Sequence, residues 1–180
     1  RFPQQLPVDG ARIPSLDQLF DNGEVEGQRR GRPVRYNLEI KSDPRWSDNT
    51  PSPSKFCELV LARIRAHQLA ERAEIQSFDW RVVSAARTLA PHVATGWLTI
   101  QSEEFDTVSG GVDQRSPWLG DLSLHRYEGS IPEAISAHGV TRWSPWFRNL
   151  DKSAVCEAHG LGLRVIPWTV NERADIEMCV

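Results

Sequence analysis

Long apolar runs are missing from this 180-residue chain; none approaches the ~18 residues that a membrane-spanning helix needs. No membrane span is therefore expected. Cysteine is scarce, with only Cys57, Cys156 and Cys179. They are widely spaced and form no CxxC pair, which excludes the usual zinc and disulfide frameworks. Their odd number leaves at least one free thiol, and small buried hydrophobes is the expected role. Charge of one sign is not in excess either. A formal net charge of -3 argues against a general nucleic-acid or anionic-membrane binder. Glycine-rich phosphate loops of the GxGxxG or P-loop kind do not occur. The chain opens at Arg1 without an initiating Met or a signal peptide. Residues 172–180 read as a helix with no stop signal after it, so Ile176 and Met178 to Val180 should bury against something downstream. The expectation is an internal segment of a longer polypeptide, with localisation left open.

What is present fits one globular domain over residues 1–180. Hydrophobic residues make up 39% and charged residues 25%, enough for a core. Seven tryptophans are many. Trp118, Trp143 and Trp146 stand in loop-like contexts, where aromatics line pockets or cover a barrel mouth.

Strand and helix signals alternate along the chain. Residues 13–20 read as a helix start, with Ser15 as N-cap and Leu16, Leu19 and Phe20 as the apolar face. Residues 23–33 read as a polar loop and 34–41 as a strand. Residues 42–53 form a long polar connection of the kind that is often functional. A helix over 56–70 should turn Phe56, Leu59, Val60 and Ile64 inward. Strands follow at 73–77, 93–100, 140–144 and 163–169, with helices at 79–89, 131–138, 150–159 and 172–180 between and after them. Residues 101–129 carry no readable period. Five strands separated by helices point to parallel βα units. The expected fold class is α/β, a TIM-like (β/α)8 barrel of which about five βα units are present. An open doubly wound sheet is the runner-up, disfavoured by the missing glycine-rich turn.

Two strand ends are chemically unusual. In Asn37-Leu38-Glu39-Ile40-Lys41 the alternation of a strand puts an amide, a carboxylate and an ammonium on one face. Both faces of a parallel strand are usually buried, and buried charges need partners. A simple ion pair at the rim of a sheet is the plainer reading of Glu39 and Lys41. The second segment, Arg164 to Asn171, is a short apolar strand ending in Trp168, Thr169 and Asn171. Ligands of open α/β sheets and barrels sit at the C-terminal strand ends, which suggests one shared site.

Three segments in order, Asn37-Leu-Glu-Ile-Lys41, Ile75-Gln-Ser-Phe-Asp-Trp80 and Val165-Ile-Pro-Trp-Thr-Val-Asn171, resemble the glycerophosphodiester phosphodiesterase family. Ile13-Pro-Ser-Leu16 before them and Ala158-His-Gly-Leu161 before the last strengthen the likeness. It covers nearly the whole chain except 101–129. The resemblance implies a TIM-like barrel enzyme, a phosphoric diester hydrolase. Its reaction would release glycerol 3-phosphate and an alcohol from a small glycerophosphodiester, with a bound divalent cation, Mg²⁺ or Ca²⁺. It further implies that Glu39 is a metal-binding catalytic carboxylate and that Lys41 contacts the substrate phosphate. Trp168 and Phe78 would be aromatics of the substrate pocket. A carboxylate is a hard ligand for such cations. An ammonium stabilises phosphate charge as it builds.

The family's N-terminal His-Arg, Glu-x-Asp and His-Asp patterns do not occur ahead of residue 37. His125-Arg126 falls mid-chain in the irregular segment and does not correspond to the first of them. His67, His92, His138 and His159 read as packing or surface residues. One alternative is therefore a non-catalytic barrel that binds phosphate esters or a protein partner; another is a barrel of a different hydrolase class.

Overall fold

The computed structural model describes residues 6–110 and 115–180. They divide into two compact units, Arg1–Arg35 and Tyr36–Val180.

The first unit holds one helix, α1 (Leu16–Arg29). Ser15 and Gln18 close it with a reciprocal capping box. The polar loop expected from residue 23 is instead the second half of this helix. Glu26 pairs with Arg29 at 2.7 Å and also with Arg30, one turn on, and these pairs support the helix through Gly23 and Gly27. The two guanidinium groups hold the Glu26 carboxyl below its usual range. Of the expected apolar face only Phe20 is fully buried, and Leu19 remains exposed.

The second unit alternates strand and helix as its composition predicts. Its elements run β1 (Tyr36–Glu39), α2 (Pro53–Ala66), β2 (Ala73–Ser77), α3 (Trp80–Leu89) and β3 (Ala94–Thr99). They continue with α4 (Ile131–Ala137), β4 (Arg142–Pro145), α5 (Lys152–Gly160), β5 (Arg164–Val165) and α6 (Arg173–Cys179). All four strand pairings are parallel, in the sheet order β1-β2-β3-β4-β5. A doubly wound sheet reverses its strand order part-way; this one never does. Successive right-handed crossovers in a sequential sheet place every helix on the same face, which is the winding of a barrel. Among the described residues the sheet does not close, and β1 and β5 are its edges.

The helix side of the sheet carries the core. Trp80, Val83, Trp97, Ile135, Trp143 and Ala158 belong to one buried cluster. Trp80 and Trp97 stack with ring centroids 4.0 Å apart. Trp143 is thus a core residue on β4 rather than a loop aromatic, and its Nε1 donates to Thr99 Oγ1 at 2.9 Å. In α2 the buried face is Cys57, Leu61 and Ile64, not the expected face through Leu59, which stays exposed. That set follows the i, i+4, i+7 pattern of a helix stripe.

Strand-period alternation turns the opposite residues to the other side. Asn37, Glu39 and Lys41 share that side with Glu74, Gln76 and Phe78, and with Gly96, Leu98, Arg142 and Ser144. Glu74 pairs with Arg142 across Gly96 at 3.3 Å. An added Cβ at Gly96 would come within 2.9 Å of the Glu74 carboxylate, so the glycine makes room for that pair. The expected last strand over 163–169 is regular only at Arg164–Val165, because Pro167 has no N–H to give the ladder. The backbone still tracks β4, through Ile166 N–H to Trp143 O at 2.8 Å and Trp168 N–H to Pro145 O at 3.1 Å.

Ile176 and Met178 in α6, and Val180 after it, are exposed among the described residues. Cys57 is buried, whereas Cys156 and Cys179 are exposed, against the expectation of small buried hydrophobes. No described helix is long and apolar enough to cross a membrane.

Candidate active site

Of the four side chains named from the sequence, three line one cavity at the C-terminal strand ends, and Trp168 does not line it but packs on Phe78. Lys41 Nζ lies 2.8 Å from Glu39 Oε1. Both residues, with Phe78, line one cavity of about 410 Å³. The Trp168 ring stands edge-on to Phe78 with centroids 5.4 Å apart, and its Nε1 donates to Ser144 O at 2.8 Å. Thr169 and Asn171, which also marked this strand end, are exposed and do not line the cavity.

The polar face of β1 is not buried as expected. Lys41 is 78% exposed at its side chain and Glu39 28%, while Tyr36, Ile40 and Ser42 turn inward. Edge position explains this: β1 has a neighbour on one side only. The pair is therefore a solvated ion pair at the rim of the sheet, whose free energy is small. Solvation also leaves the ammonium able to exchange its partner for an incoming anion.

A buried network missed in the sequence holds the backbone on both sides of Lys41. Ser77 Oγ donates to Ile40 O at 2.7 Å, and Ser42 Oγ donates to Asp79 Oδ2 at 2.8 Å. Asp79 is fully buried and caps α3, accepting from Arg81 N at 3.1 Å. Its carboxylate also takes the Arg81 guanidinium at 2.9 and 2.8 Å, which raises the Arg81 pKa. The Ser-Phe-Asp run from 77 to 79 contained the signal: a residue with N-cap preference, two positions after a serine at a strand end.

The far wall of the cavity comes from the segment without a readable period. Phe105 and Trp118 both line it, as does Asp43. Phe78 meets Phe105 at 5.7 Å and Trp118 at 6.4 Å between centroids. Trp118 was singled out as a pocket aromatic and is one. The Arg45 guanidinium lies 5.3 Å from the Trp118 centroid and 5.7 Å from that of Phe105. Asp43 grips it with both oxygens, at 2.9 and 2.6 Å, and Arg45 in turn holds the Asp43 carboxyl below its usual range.

None of the five histidines lines this cavity. His138 instead packs near Trp97 on the helix side, with centroids 5.6 Å apart. Among the described residues, no three His, Cys, Asp or Glu side chains group closely enough to hold a metal ion. Glu39 is a hard oxygen donor, so it fits one ligand position of a divalent cation and no complete cage. A second cavity, about 440 Å³, lies on the helix side over Trp80 and Trp97, away from the strand ends that carry the ion pair.

Over residues 1–180 the chain matches the family described as glycerophosphoryl diester phosphodiesterases. A glycerophosphodiester phosphodiesterase of Caldanaerobacter subterraneus subsp. tengcongensis is 26% identical over 171 residues, 95% of this chain and 55% of that protein. The crystal structure of a candidate glycerophosphoryl diester phosphodiesterase of Silicibacter pomeroyi is 31% identical. Its TM-score is 0.74, covering 99% of this chain and 53% of that one. An Oleispira antarctica phosphodiesterase, solved with its product sn-glycerol 3-phosphate, shares the fold at 16% identity. Its TM-score is 0.61, over 93% of this chain and 53% of that one. The chain thus spans about half the length of the relatives it matches.

Proposed function

The chain belongs to the glycerophosphoryl diester phosphodiesterase family, and we propose that it supplies one wall of a site that hydrolyses glycerophosphodiesters. In that reaction a water oxygen attacks phosphorus. The bond from phosphorus to the alcohol oxygen breaks, and a proton passes to the leaving alcohol. The products are glycerol 3-phosphate and the free alcohol. The observation that carries the reading is the Glu39–Lys41 pair opening onto the same cavity as Phe78, with Trp168 packed on Phe78. The glycerol 3-phosphate bound by the Oleispira antarctica enzyme supports the product class.

Lys41 is the phosphate-binding residue of the proposal. Its ammonium leaves Glu39 in part and meets a phosphoryl oxygen, and the attraction grows as negative charge builds there. Phe78 and Trp168 give the glycerol carbons an apolar wall, with polar groups at the rim. Glu39 would hold a divalent cation, Mg²⁺ or Ca²⁺, which when bound would supply Lewis-acid polarisation of a phosphoryl oxygen.

The test is phosphate-ester release from several glycerophosphodiesters by the full-length protein, with and without a chelator. Turnover that the chelator abolishes and Mg²⁺ or Ca²⁺ restores is the expected result. Binding of glycerol 3-phosphate without any turnover would instead favour a non-catalytic barrel.

A further inference from the structure

We propose that Arg45 sets the alcohol selectivity of the cavity, turning it away from ammonium headgroups and toward uncharged polyol esters. The inference rests on the hydrolase reading above. A phosphodiester has two arms, and Phe78 makes two aromatic contacts. One is with Trp168, at 5.4 Å between centroids; the other is with Phe105 and Trp118, which pack on each other at 5.3 Å. With the phosphate on Lys41 and glycerol against Trp168, the second alcohol falls along Phe105 and Trp118. That wall bounds the cavity of about 410 Å³.

Aromatic faces attract cations through their quadrupole, and a nearby carboxylate adds to the attraction. A wall of Phe105 and Trp118 with Asp43 beside it has the makings of an ammonium cage. Both of its attractive elements are already engaged by this chain's own cation. The Arg45 guanidinium stands 5.3 Å from the Trp118 centroid and 5.7 Å from that of Phe105. The Asp43 carboxylate is committed to Arg45 Nε and Nη2, and its Oδ1 also takes the Arg45 backbone N–H at 2.9 Å. An entering ammonium group would lose those partners and meet a like charge. A polyol would not: the guanidinium carries five N–H groups in a fixed fork, and those not bonded to Asp43 can donate to hydroxyl oxygens. Half of the Arg45 side chain is exposed, so it is accessible to such an alcohol.

The full-length protein and its Arg45→Gln and Lys41→Ala variants would be assayed with glycerophosphoglycerol and glycerophosphocholine. Wild type should show the higher kcat/KM with the glycerol ester. Arg45→Gln should lower the ratio of glycerol to choline ester by about tenfold, chiefly by improving KM for the choline ester. Lys41→Ala should depress both substrates and leave the ratio in place. A wild-type preference for the choline ester, or a ratio in Arg45→Gln within about twofold of wild type, overturns this inference while hydrolysis itself stands. Failure of wild type on both esters removes the hydrolase reading and this inference with it. A second readout needs no turnover: tetramethylammonium should quench tryptophan fluorescence in Arg45→Gln and not in wild type. Equal behaviour of the two proteins there overturns the inference too.

Discussion

Asp79→Ala should unfold the strand end that carries Lys41 more readily than any change to the exposed ion pair. Three losses add up. The N-cap of α3 disappears, at about 1 kcal/mol. The Ser42 hydroxyl, 7% exposed in its residue, loses its acceptor, and stranding it costs roughly 1–3 kcal/mol. Arg81 loses its carboxylate, but its side chain is 40% exposed and returns to water at little cost. Removal of a fully buried carboxylate gives some of this back, because its desolvation is no longer required. The net expectation is a destabilisation of about 1–3 kcal/mol. Asp79→Asn keeps the cap through its one oxygen, and its amide nitrogen at the Oδ2 position donates to Ser42 Oγ instead of accepting from it, so it should cost about 1 kcal/mol. Urea melts read at constant m-value give both numbers. If Asp79→Asn is as damaging as Asp79→Ala, the carboxylate acts through its charge on Arg81, and the cap and Ser42 bond are not what holds the strand end.

Two shorter predictions stand beside it. Lys41→Ala should reduce kcat/KM by roughly 2–4 kcal/mol of transition-state stabilisation, the range for one lost oxyanion partner, and steady-state kinetics on any cleaved diester measures it. A thiol reagent near pH 8 should label Cys156 and Cys179 in the native protein and Cys57 only after denaturation. Burial pushes the Cys57 thiol up to about 11 and leaves it neutral there, so fast labelling of three thiols would contradict its placement. The same shift has a sign for stability. A folded-state pKa above the unfolded one means that the contribution is complete below ~9 and fades as pH climbs through about 11.

The succession of strands and helices was legible because each element carries its own local period and punctuation. The strand Ala73–Ser77 lies where its alternation puts it, and Pro91 and Gly139 follow helices that stop close by. Boundaries failed where a local cue was outvoted. Gly23 suggested a loop, but three charged residues a helical turn apart carried α1 six residues further, to Arg29. Glu39, Lys41 and Trp168 could be named because each lies at a strand end, and parallel register brings strand ends together; Phe78 came from the family resemblance. Phe105 could not be. Its position depends on loop bonds with no sequence period: Asp106 Oδ1 accepting from Val108 and Ser109, and Ser116 Oγ donating to Thr107 O. Arg45 was hidden for a similar reason, since the rings beneath it come from sixty or more residues away.

The double anchoring of the first strand's exit divides labour along the chain. Ile40 and Ser42 are fastened before residues 43–50 begin, so the backbone that carries Lys41 keeps its place whatever that loop does. Substitutions or length changes in 43–50 can reshape the outer half of the cavity without moving the strand end beside it. On the proposed reading, headgroup preference could then drift along a short surface stretch while the phosphate-binding residue keeps its backbone.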